Sequence, residues 1–431
     1  MYKKQMKYLL LLVTAITLLT SCSKSDTDDK PSIAQRTVIV YMSAENNLGG
    51  LNFDTQNIED MATGSANLAD NCRLLVFLDR PNAYVKPFIA QVTKDSQHPL
   101  DTLYRFEEDF YASDGAKFQE VVSKAIALAP AQDYGLVLWG HANGWTIERD
   151  TTADTSSAQR RAYGIDTGNN SAGTTGKWMN IPTMAKALQQ VGTRFKFIFC
   201  DCCNMQSIEV AYELRNAAEY LIASPAEIDG VGAPYSKIVQ HFFQTDDERM
   251  YTDICNDYHA QVDYVGGHLP ISAIKTSQLE ALAKATREVL PTVAANVPKD
   301  DFGQGHIYYY GLYMMDSWST TFLKNEKTHY DMNDIIRWGL ADDTAAYRSW
   351  RQAFDEAVVY SLMSTYWHAN CIERNTAKKT FADFDVTAEA YGGVSMFFPQ
   401  TKYNNSAYYK QNELIKKMAW YYSVGWSEAG W

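Results

Sequence analysis

Two short polar segments each follow directly on an apolar run, and both carry residues that could do chemistry. Gly140–Trp145 follows Gly135–Trp139, and Asp201–Met205 follows Phe195–Cys200. A continuously apolar run is typical of a strand buried on both faces. If the two strands are neighbours in a parallel sheet, their carboxyl ends meet at one edge, where ligands bind in such sheets. His141 would then lie beside the cysteines.

A cysteine beside a histidine can act as a nucleophile with its proton carrier. Apolar residues recur at three- and four-residue steps from Val210 to Ala218, which predicts a helix with Cys203 at or near its N-terminus. Unpaired N–H groups and the helix dipole favour a thiolate there. Two other interpretations stay open. The cysteines could be buried packing residues, or Cys200, Cys202 and Cys203 could bind a metal, although no second Cys/His pair stands at ligand spacing.

The elements that must position these residues alternate between strand and helix. Further apolar runs at Thr37–Met42 and Arg73–Leu78 predict two more buried strands. Helical segments are predicted between the strands at Asn57–Ala69, Lys117–Leu128 and Thr183–Val191. This alternation predicts an α/β fold over residues 36–245, with a parallel-rich sheet sandwiched by helices.

Residues 246–431 have a different character. The patterns Leu279–Val297 and Ala345–Trp367 predict long helices, and Gly393–Pro399 is a lone strand candidate. A chain of 431 residues exceeds the size at which a single core stops growing. We therefore expect this mainly helical, aromatic-rich part to pack on the first. Its aromatic clusters favour core and interface packing over a sugar-stacking surface.

These motifs resemble those of the clostripain-like cysteine peptidases, peptidase family C11 of the caspase-like clan CD. Leu138–Trp145 is similar to the family's LWxHGxGW block, and Asp201–Leu214 to its DACxM and EVAYxL blocks. Val40–Leu48 and Ser224–Tyr235 also match, and Gly393–Pro399 is similar to the family's GLSIYFP. The resemblance is dense over residues 36–240. It implies a caspase-like fold and a cysteine-type endopeptidase.

Carried over residue by residue, the resemblance makes Cys203 the nucleophile and His141 the general acid and base. It implies an oxyanion hole formed by the backbone N–H groups of Ala142 and Cys203. Two positions depart from the family. Ala142 stands where the family prefers glycine. Unlike glycine, alanine disfavours a positive φ. Cys202 stands where the family prefers alanine, so the residues alone do not decide which of the two adjacent thiols attacks.

Asp201 matches the family's acidic residue at the base of the primary specificity pocket. The resemblance therefore implies cleavage after Arg or Lys, because a carboxylate pairs with either cation. The position of Asp201 just before the predicted helix equally suits an N-cap residue.

The interval 146–180 is rich in Gly, Ser, Thr, Asn and Asp, which predicts a long loop. A loop of this length inside a compact domain is usually functional. Family members are processed in this interval, which implies self-cleavage at one of four basic residues: Arg149, Arg160, Arg161 or Lys177. Gly164–Asp166 resembles the family sequence at which ordered structure resumes, so Arg160 and Arg161 are the preferred candidates.

The N-terminus predicts export. Three lysines precede the apolar stretch Tyr8–Leu19, which is too short to span a hydrocarbon core of ~30 Å. Residues 1–21 are thus a predicted signal peptide. Leu19–Cys22 resembles a bacterial lipobox, which implies lipidation of Cys22; an ordinary secretory signal is the alternative. Residues 22–35 are polar and acidic, which predicts a flexible tether. The N-terminus thus predicts a protein of the cell envelope that is anchored by lipid in the outer membrane. Display on the cell surface is a further option.

Composition limits the partners. The net charge of −12 offers no general attraction for phosphate backbones, so nucleic acid is not an expected partner. Protein or peptide substrates with basic residues are expected, and the lipid would provide the membrane contact. The chemistry requires no cofactor, and no metal ligands are assigned. Because the family's founding member depends on calcium, Ca²⁺ is a candidate ion without identified ligands. The competing function is an envelope lipoprotein that binds peptides or glycans on a catalytically decayed peptidase fold.

Overall fold

The computed structural model describes residues 33–82, 84–147, 162–168, 176–262, 267–299, 307–308, 310, 328–340, 344–364, 387–405 and 410–431. The described strands are β1 (Ala34–Ser43), β2 (Cys72–Asp79), β3 (Phe88–Val92), β4 (Leu100–Arg105), β5 (Ala131–Trp139), β6 (Tyr163–Asp166), β7 (Lys177–Met179), β8 (Phe195–Asp201), β9 (Ala218–Ala223), β10 (Ile271–Lys275), β11 (Tyr330–Asp331), β12 (Val358–Leu362) and β13 (Ser395–Met396). The described α-helices are α1 (Asn47–Gly50), α2 (Phe53–Ser65), α3 (Gly115–Leu128), α4 (Ile181–Val191), α5 (Ile208–Leu214), α6 (Tyr235–Ile238), α7 (Asp247–Ala260), α8 (Leu279–Asn296), α9 (Met332–Leu340), α10 (Ala345–Ala357), α11 (Gln411–Leu414) and α12 (Ala419–Ser423). Within these ranges, no helix is long and apolar enough to cross a membrane.

A nine-stranded sheet organises the residues from Ile33 onward. Its strand order is β12-β10-β9-β8-β5-β1-β2-β3-β4. The five central strands, β9 to β2 in this order, run parallel to one another. Antiparallel strands extend both edges. The predicted α/β class with a parallel-rich sheet is confirmed, and β5 and β8 are direct neighbours.

The apolar strands are buried on both faces by helices. In β1, Ile39 and Tyr41 belong to a core on one face that includes Phe118 of α3. Val40 of the same strand belongs to the core on the other face, together with Ile58 of α2. Every second side chain of a strand points to the same face. A strand covered on both sides must therefore be apolar at every position, which explains the continuous runs.

Two predicted helices differ from those observed. The helix expected over Ala345–Trp367 ends at Ala357, because Val358–Leu362 instead forms strand β12 at the edge of the sheet, antiparallel to β10. The helix expected over Asn57–Ala69 lies one turn earlier, over Phe53–Ser65, after Asn52 with a left-handed φ of 63°. Tertiary pairing and a local turn decided these boundaries. Strands β10 and β12 also show that residues beyond 245 contribute to the central sheet.

Candidate active site

The ends of β5 and β8 bring the two polar segments together. Trp139 pairs with Asp201 in the last register position of these parallel strands. His141 and Cys203 each follow this pair by two residues, in the segments just beyond the strand ends. A hydrogen bond joins the two loops beyond the strands. The side-chain amide Nδ2 of Asn204 donates to Oδ1 of Asn143 at 3.0 Å. The expected meeting of these strand ends is confirmed.

Unusual backbone conformations let the two loops approach each other. Gly144 has a φ of 61°, and Asn204 has a φ of 59°. A Cβ atom at Gly144 would lie 2.6 Å from the backbone oxygen of Asn204 and 2.9 Å from Nε2 of His329. Glycine is required here for both conformation and space. Strained positions such as Asn204 are often found at functional sites.

His141 is held by a residue that the sequence analysis left without a role. Its Nε2 lies 2.8 Å from Oδ1 of Asn47, at the start of α1. Because an amide oxygen only accepts, Nε2 is the donor in this contact. Asn47 lies within the matched block Val40–Leu48, and that match was the signal that could have identified it. The indole of Trp178 lies 6.5 Å from the imidazole, measured between ring centroids.

The helix after the cysteines begins later than expected. Helix α5 starts at Ile208, and its N-cap is Ser207, whose side chain accepts from the N–H of Val210 at 3.3 Å. The prediction that Cys203 lies at a helix N-terminus is therefore wrong, because a turn through Asn204 separates strand from helix. Another donor approaches the sulfur instead: the N–H of Ile228 lies 3.4 Å from Sγ of Cys203. The thiol can in turn donate to the carbonyl oxygen of the same residue, since Sγ lies 3.9 Å from it.

The two adjacent cysteines have different surroundings. Cys202 is completely buried in the core, and Cys200 beside it is 1% exposed. Burial, followed by contact with Cys200, raises the pKa of the Cys202 thiol well above its usual value. Cys203 is half-buried. The packing interpretation thus fits Cys200 and Cys202, while Cys203 is the thiol that can meet a substrate.

Metal binding by the cysteines finds no support in the described part of the chain. There, Glu45, Asp79 and Asp109 form the single group of at least three acidic, His or Cys side chains that could share one ion. Cys202 and Cys203 are consecutive residues, and Cys202 is directed into the core.

The backbone at Ala142 forms an antiparallel bridge with Tyr163. Asn143 donates its N–H to the carbonyl of Ala162 at 2.9 Å, and Gly164 donates to the carbonyl of His141 at 2.7 Å. The N–H of Ala142 points to the opposite side of this bridge, because successive amides in extended chain alternate. Ala142 is not among the residues with positive φ. Alanine is therefore accommodated where the family prefers glycine.

Asp201 is the last residue of β8 and lies 3% exposed beneath the segment 229–235. Its Oδ2 accepts from the N–H of Ala233 at 3.1 Å and from the hydroxyl of Tyr235 at 2.8 Å. Its Oδ1 is buried, and the hydroxyl of Tyr258 also contacts the carboxyl. Burial raises the pKa of Asp201 to about 6, and the Ala233 N–H limits the rise. Because Ser207 caps α5, the N-cap interpretation of Asp201 is wrong.

A second histidine lies under the same loop. His329 precedes β11 and is 2% exposed, and its Nδ1 lies 3.0 Å from the hydroxyl of Thr328. Burial lowers the pKa of His329 to about 4. The ring is therefore neutral near pH 7 and serves as packing beneath Gly144. The sequence analysis did not single it out.

The interval 146–180 is not a loop throughout. Strands β6 and β7 pair within it, with Lys177 opposite Asp166, and Nζ of Lys177 lies 3.7 Å from the ring centroid of Tyr111. Of the self-cleavage candidates, Arg149, Arg160 and Arg161 lie outside the described residues, and so does Cys22.

Solved structures share this architecture. One is a secreted C11 cysteine protease from Bacteroides thetaiotaomicron, solved in complex with an irreversible peptide inhibitor. It is 26% identical in sequence to this chain and has a TM-score of 0.69, and the match covers 92% of this chain and 100% of that protein. An inactive zymogen C11 protease from Parabacteroides distasonis is 23% identical with a TM-score of 0.67, over 91% and 99%; at that identity it shows the fold alone. No curated protein matches the chain.

The parallel-rich sheet between helices, together with the match to a C11 protease structure over nearly the whole chain, defines a cysteine-type peptidase of caspase-like fold, which needs no cofactor for its chemistry. The sequence model of the clostripain family matches residues 40–431. The chain therefore belongs to the clostripain family.

Proposed function

We propose that this peptidase is an endopeptidase in which Cys203 and His141 form the catalytic dyad. The single observation that carries the proposal is the pairing of Trp139 with Asp201, because His141 and Cys203 each follow that pair by two residues at neighbouring strand ends. The Asn47 contact at 2.8 Å supports the role of His141. The partial exposure of Cys203, against the burial of Cys202, supports the choice of thiol.

The reaction follows from these groups. His141 takes the proton of the Cys203 thiol, and the resulting thiolate attacks the substrate carbonyl carbon. The negative charge moves to the carbonyl oxygen, toward the N–H groups of Ala142 and Cys203. His141 gives a proton to the leaving amine as the C–N bond breaks, which leaves a thioester on Cys203. His141 then takes a proton from water, whose oxygen attacks the thioester and releases the acid and the thiol.

Asp201 would direct cleavage to bonds after Arg or Lys. Its Oδ1 is not engaged by the N–H of Ala233 or by the hydroxyl of Tyr235, so it can accept from a substrate cation. Oδ2 is already engaged by Ala233 and Tyr235, which hold the carboxylate in place. A desolvated carboxylate discriminates strongly between a cationic and a neutral side chain.

Activation would occur by self-cleavage inside the interval 146–180, with Arg160 or Arg161 before the cut. Lys177 is a poorer candidate because it is paired in β7, and a protease needs an extended, unpaired segment. The similar protein from Parabacteroides distasonis is described as an inactive zymogen, which is consistent with an activation step. Lipidation of Cys22 would place the enzyme on the outer membrane.

The dyad is tested by comparing Cys203→Ala with Cys202→Ala on fluorogenic peptides that end in Arg or Lys. We expect turnover to be lost in Cys203→Ala and largely kept in Cys202→Ala. An irreversible peptide probe with a basic end should label wild type and Cys202→Ala but not Cys203→Ala, with mass spectrometry locating the adduct. Equal loss in both variants would overturn the assignment. A chain that is labelled by no such probe and cleaves none of these peptides would instead be a binding protein on a decayed fold.

A further inference from the structure

Two histidines lie in contact near the segment that covers Asp201. His259 is half-buried in the last turn of α7, and His268 is exposed just before β10. Their ring centroids are 5.3 Å apart, and the ring planes differ by 27°. His268 also forms an isolated antiparallel bridge with Val262, which returns the chain to the end of the helix. Neither imidazole has a role in the proposed mechanism.

Both rings are held as metal-ligating histidines usually are. Nδ1 of His259 lies 2.8 Å from the carbonyl oxygen of Leu269, and Nδ1 of His268 lies 2.9 Å from the carbonyl oxygen of His259. Because a carbonyl oxygen only accepts, Nδ1 is the donor in each contact, and the neutral ring keeps its lone pair on Nε2. Nε2 takes part in neither contact. A backbone carbonyl that accepts from the other ring nitrogen is a common second partner of a zinc-bound histidine.

We propose that His259 and His268 bind a zinc ion. With Zn–N distances of about 2.0–2.1 Å and tetrahedral angles, two imidazoles on one ion have ring centroids about 5.2 Å apart. The observed separation is 5.3 Å. Neighbouring imidazoles on a square-planar Cu²⁺ or Ni²⁺ ion would have centroids only about 4.5 Å apart, so Zn²⁺ is the better match. The two histidines leave two positions of the tetrahedron to water.

The zinc site lies at the helix end that contacts the proposed specificity pocket. The hydroxyl of Tyr258 contacts the carboxyl of Asp201. The side-chain amide of Gln261 donates to the carbonyl of Gly232, in the segment over Asp201, at 2.7 Å. An ion bound to His259, between these two contacts in the chain, would therefore restrain the end of α7 and the segment over Asp201 with it. This consequence for substrate binding rests on the proposed function, but zinc binding does not.

Binding is tested on the untagged full-length Cys203→Ala chain, because a reactive thiol beside a histidine could bind zinc itself. After removal of metals with a chelator, we expect calorimetric titration with Zn²⁺ at pH 7.5 to show one site and thermal unfolding to shift upward. Adding His259→Ala or His268→Ala should weaken binding at least about tenfold, since even the loss of a ligand's second partner costs about 10–100-fold. Adding His98→Ala, at an exposed histidine, is the matched control and should leave binding unchanged.

His268→Ala keeps the test decisive even if the His259 variant fails to fold, because His268 is exposed. Absence of the calorimetric signal in the parent chain would overturn the proposal. Binding that His268→Ala leaves as tight as in the parent would overturn it too, and the two rings would then be a stacked pair only. Because the parent lacks the nucleophile, neither result depends on whether the peptidase proposal is correct.

The link to the segment over Asp201 has its own measurement. Amide hydrogen exchange at residues 229–235 should slow when Zn²⁺ is added to the parent chain, because local opening of the segment is then restrained. It should not slow in the chain that also carries His268→Ala. Exchange that zinc binding leaves unchanged in the parent would overturn this link.

Discussion

At the scale of single residues, the site depends on how polar atoms are held rather than on which residue types are present. Asn47 holds His141 through one hydrogen bond, and Ile228 directs its N–H at Cys203. Neither partner belongs to the proposed dyad itself. A catalytic base must be held in the productive geometry, because a misplacement of 1 Å can cost about 100-fold in rate.

Replacing Asn47 should therefore impair the positioning of His141 without impairing the folding of the protein. We expect Asn47→Ala to lower kcat about tenfold to 100-fold with little change in KM, because the imidazole loses the acceptor that sets its orientation and tautomer. Asn47→Asp keeps an acceptor and should recover much of the activity. Its carboxylate should also move the histidine limb of the pH–rate profile to higher pH. Unchanged kcat in Asn47→Ala, with wild-type thermal unfolding, would remove Asn47 from the mechanism.

Asp201 predicts a pH-dependent preference for basic substrates. With its pKa raised to about 6, the carboxylate carries its full charge only above that pH. The ratio of kcat/KM for an Arg substrate to that for a neutral one should rise as the pH passes through about 6. In Asp201→Asn the ratio should fall at least about tenfold at pH 7.5 and lose its pH dependence.

The folding stability of Asp201→Asn provides the control for its substrate preference. A carboxyl whose folded pKa is raised contributes stability below its unfolded pKa of 3.8 that is lost as the pH rises through about 6. Asp201→Asn should therefore be at least as stable as wild type at pH 7.5, because the amide oxygen can still accept from Ala233 and Tyr235. Arg substrates cleaved equally well by both proteins would show that the preference for basic residues arises elsewhere.

At the scale of elements, helix α5 is joined to a strand from the far end of the chain. Oε1 of Glu209 accepts from the N–H of Phe397 at 2.7 Å, and the side chain of Ser207 contacts the same buried carboxyl. Close by, the N–H of Ser395 donates to the carbonyl of Gln206 at 2.9 Å. Two motifs matched separately in the sequence thus meet beneath the turn that carries Cys203.

Glu209 should make folding stability fall with pH. Burial raises its pKa from 4.5 to about 8, so the neutral acid is the form that suits the folded state. Its contribution is present below pH 4.5 and is lost as the pH rises through about 8, with a slope near 1.4 kcal/mol per pH unit inside that window. In Glu209→Gln this part of the slope should disappear, and the variant should unfold at higher denaturant than wild type at pH 8.5. Parallel stability–pH curves for the two proteins would contradict this.

At the scale of the whole molecule, the proposed self-cleavage divides the sheet at its centre. Strands β1 to β5 precede the interval, whereas β8, β9, β10 and β12 follow it. The cut therefore separates β5 from its neighbour β8 in sequence but not in space. The cores on both faces contain residues from either side of the cut.

Two fragments should consequently stay associated after cleavage. Wild type should give two bands on a denaturing gel and a single native peak, while Cys203→Ala should give one full-length band. Replacing both Arg160 and Arg161 with alanine should prevent the cut, whereas Lys177→Ala should not. An active preparation that remains a single uncut chain would disprove self-cleavage as the activation step.

Much of this architecture could be predicted from local patterns. Continuous apolar runs identified β1, β2, β5 and β8, because a strand covered on both faces leaves no position for a polar side chain. The polar segments after β5 and β8 pointed to the sheet edge where His141 and Cys203 lie, since parallel strands end on the same side. The motif matches led to the family that the whole-chain comparison shows.

Other features depended on contacts between residues far apart in the chain. Val358–Leu362 had a helical pattern but became strand β12, because it could pair with β10. The start of α5 at Ile208 placed Cys203 in a turn and excluded Asp201 as a cap. Asn47, Ile228 and His329 reach the site from three separate segments, and no spacing in the sequence relates them to His141 or Cys203. The sequence by itself determined which chemistry was available, because residue types and strand periodicity are local properties. Only the tertiary structure decided which thiol is exposed and which acceptor holds the histidine, because burial and hydrogen bonding are set by the packing of distant segments.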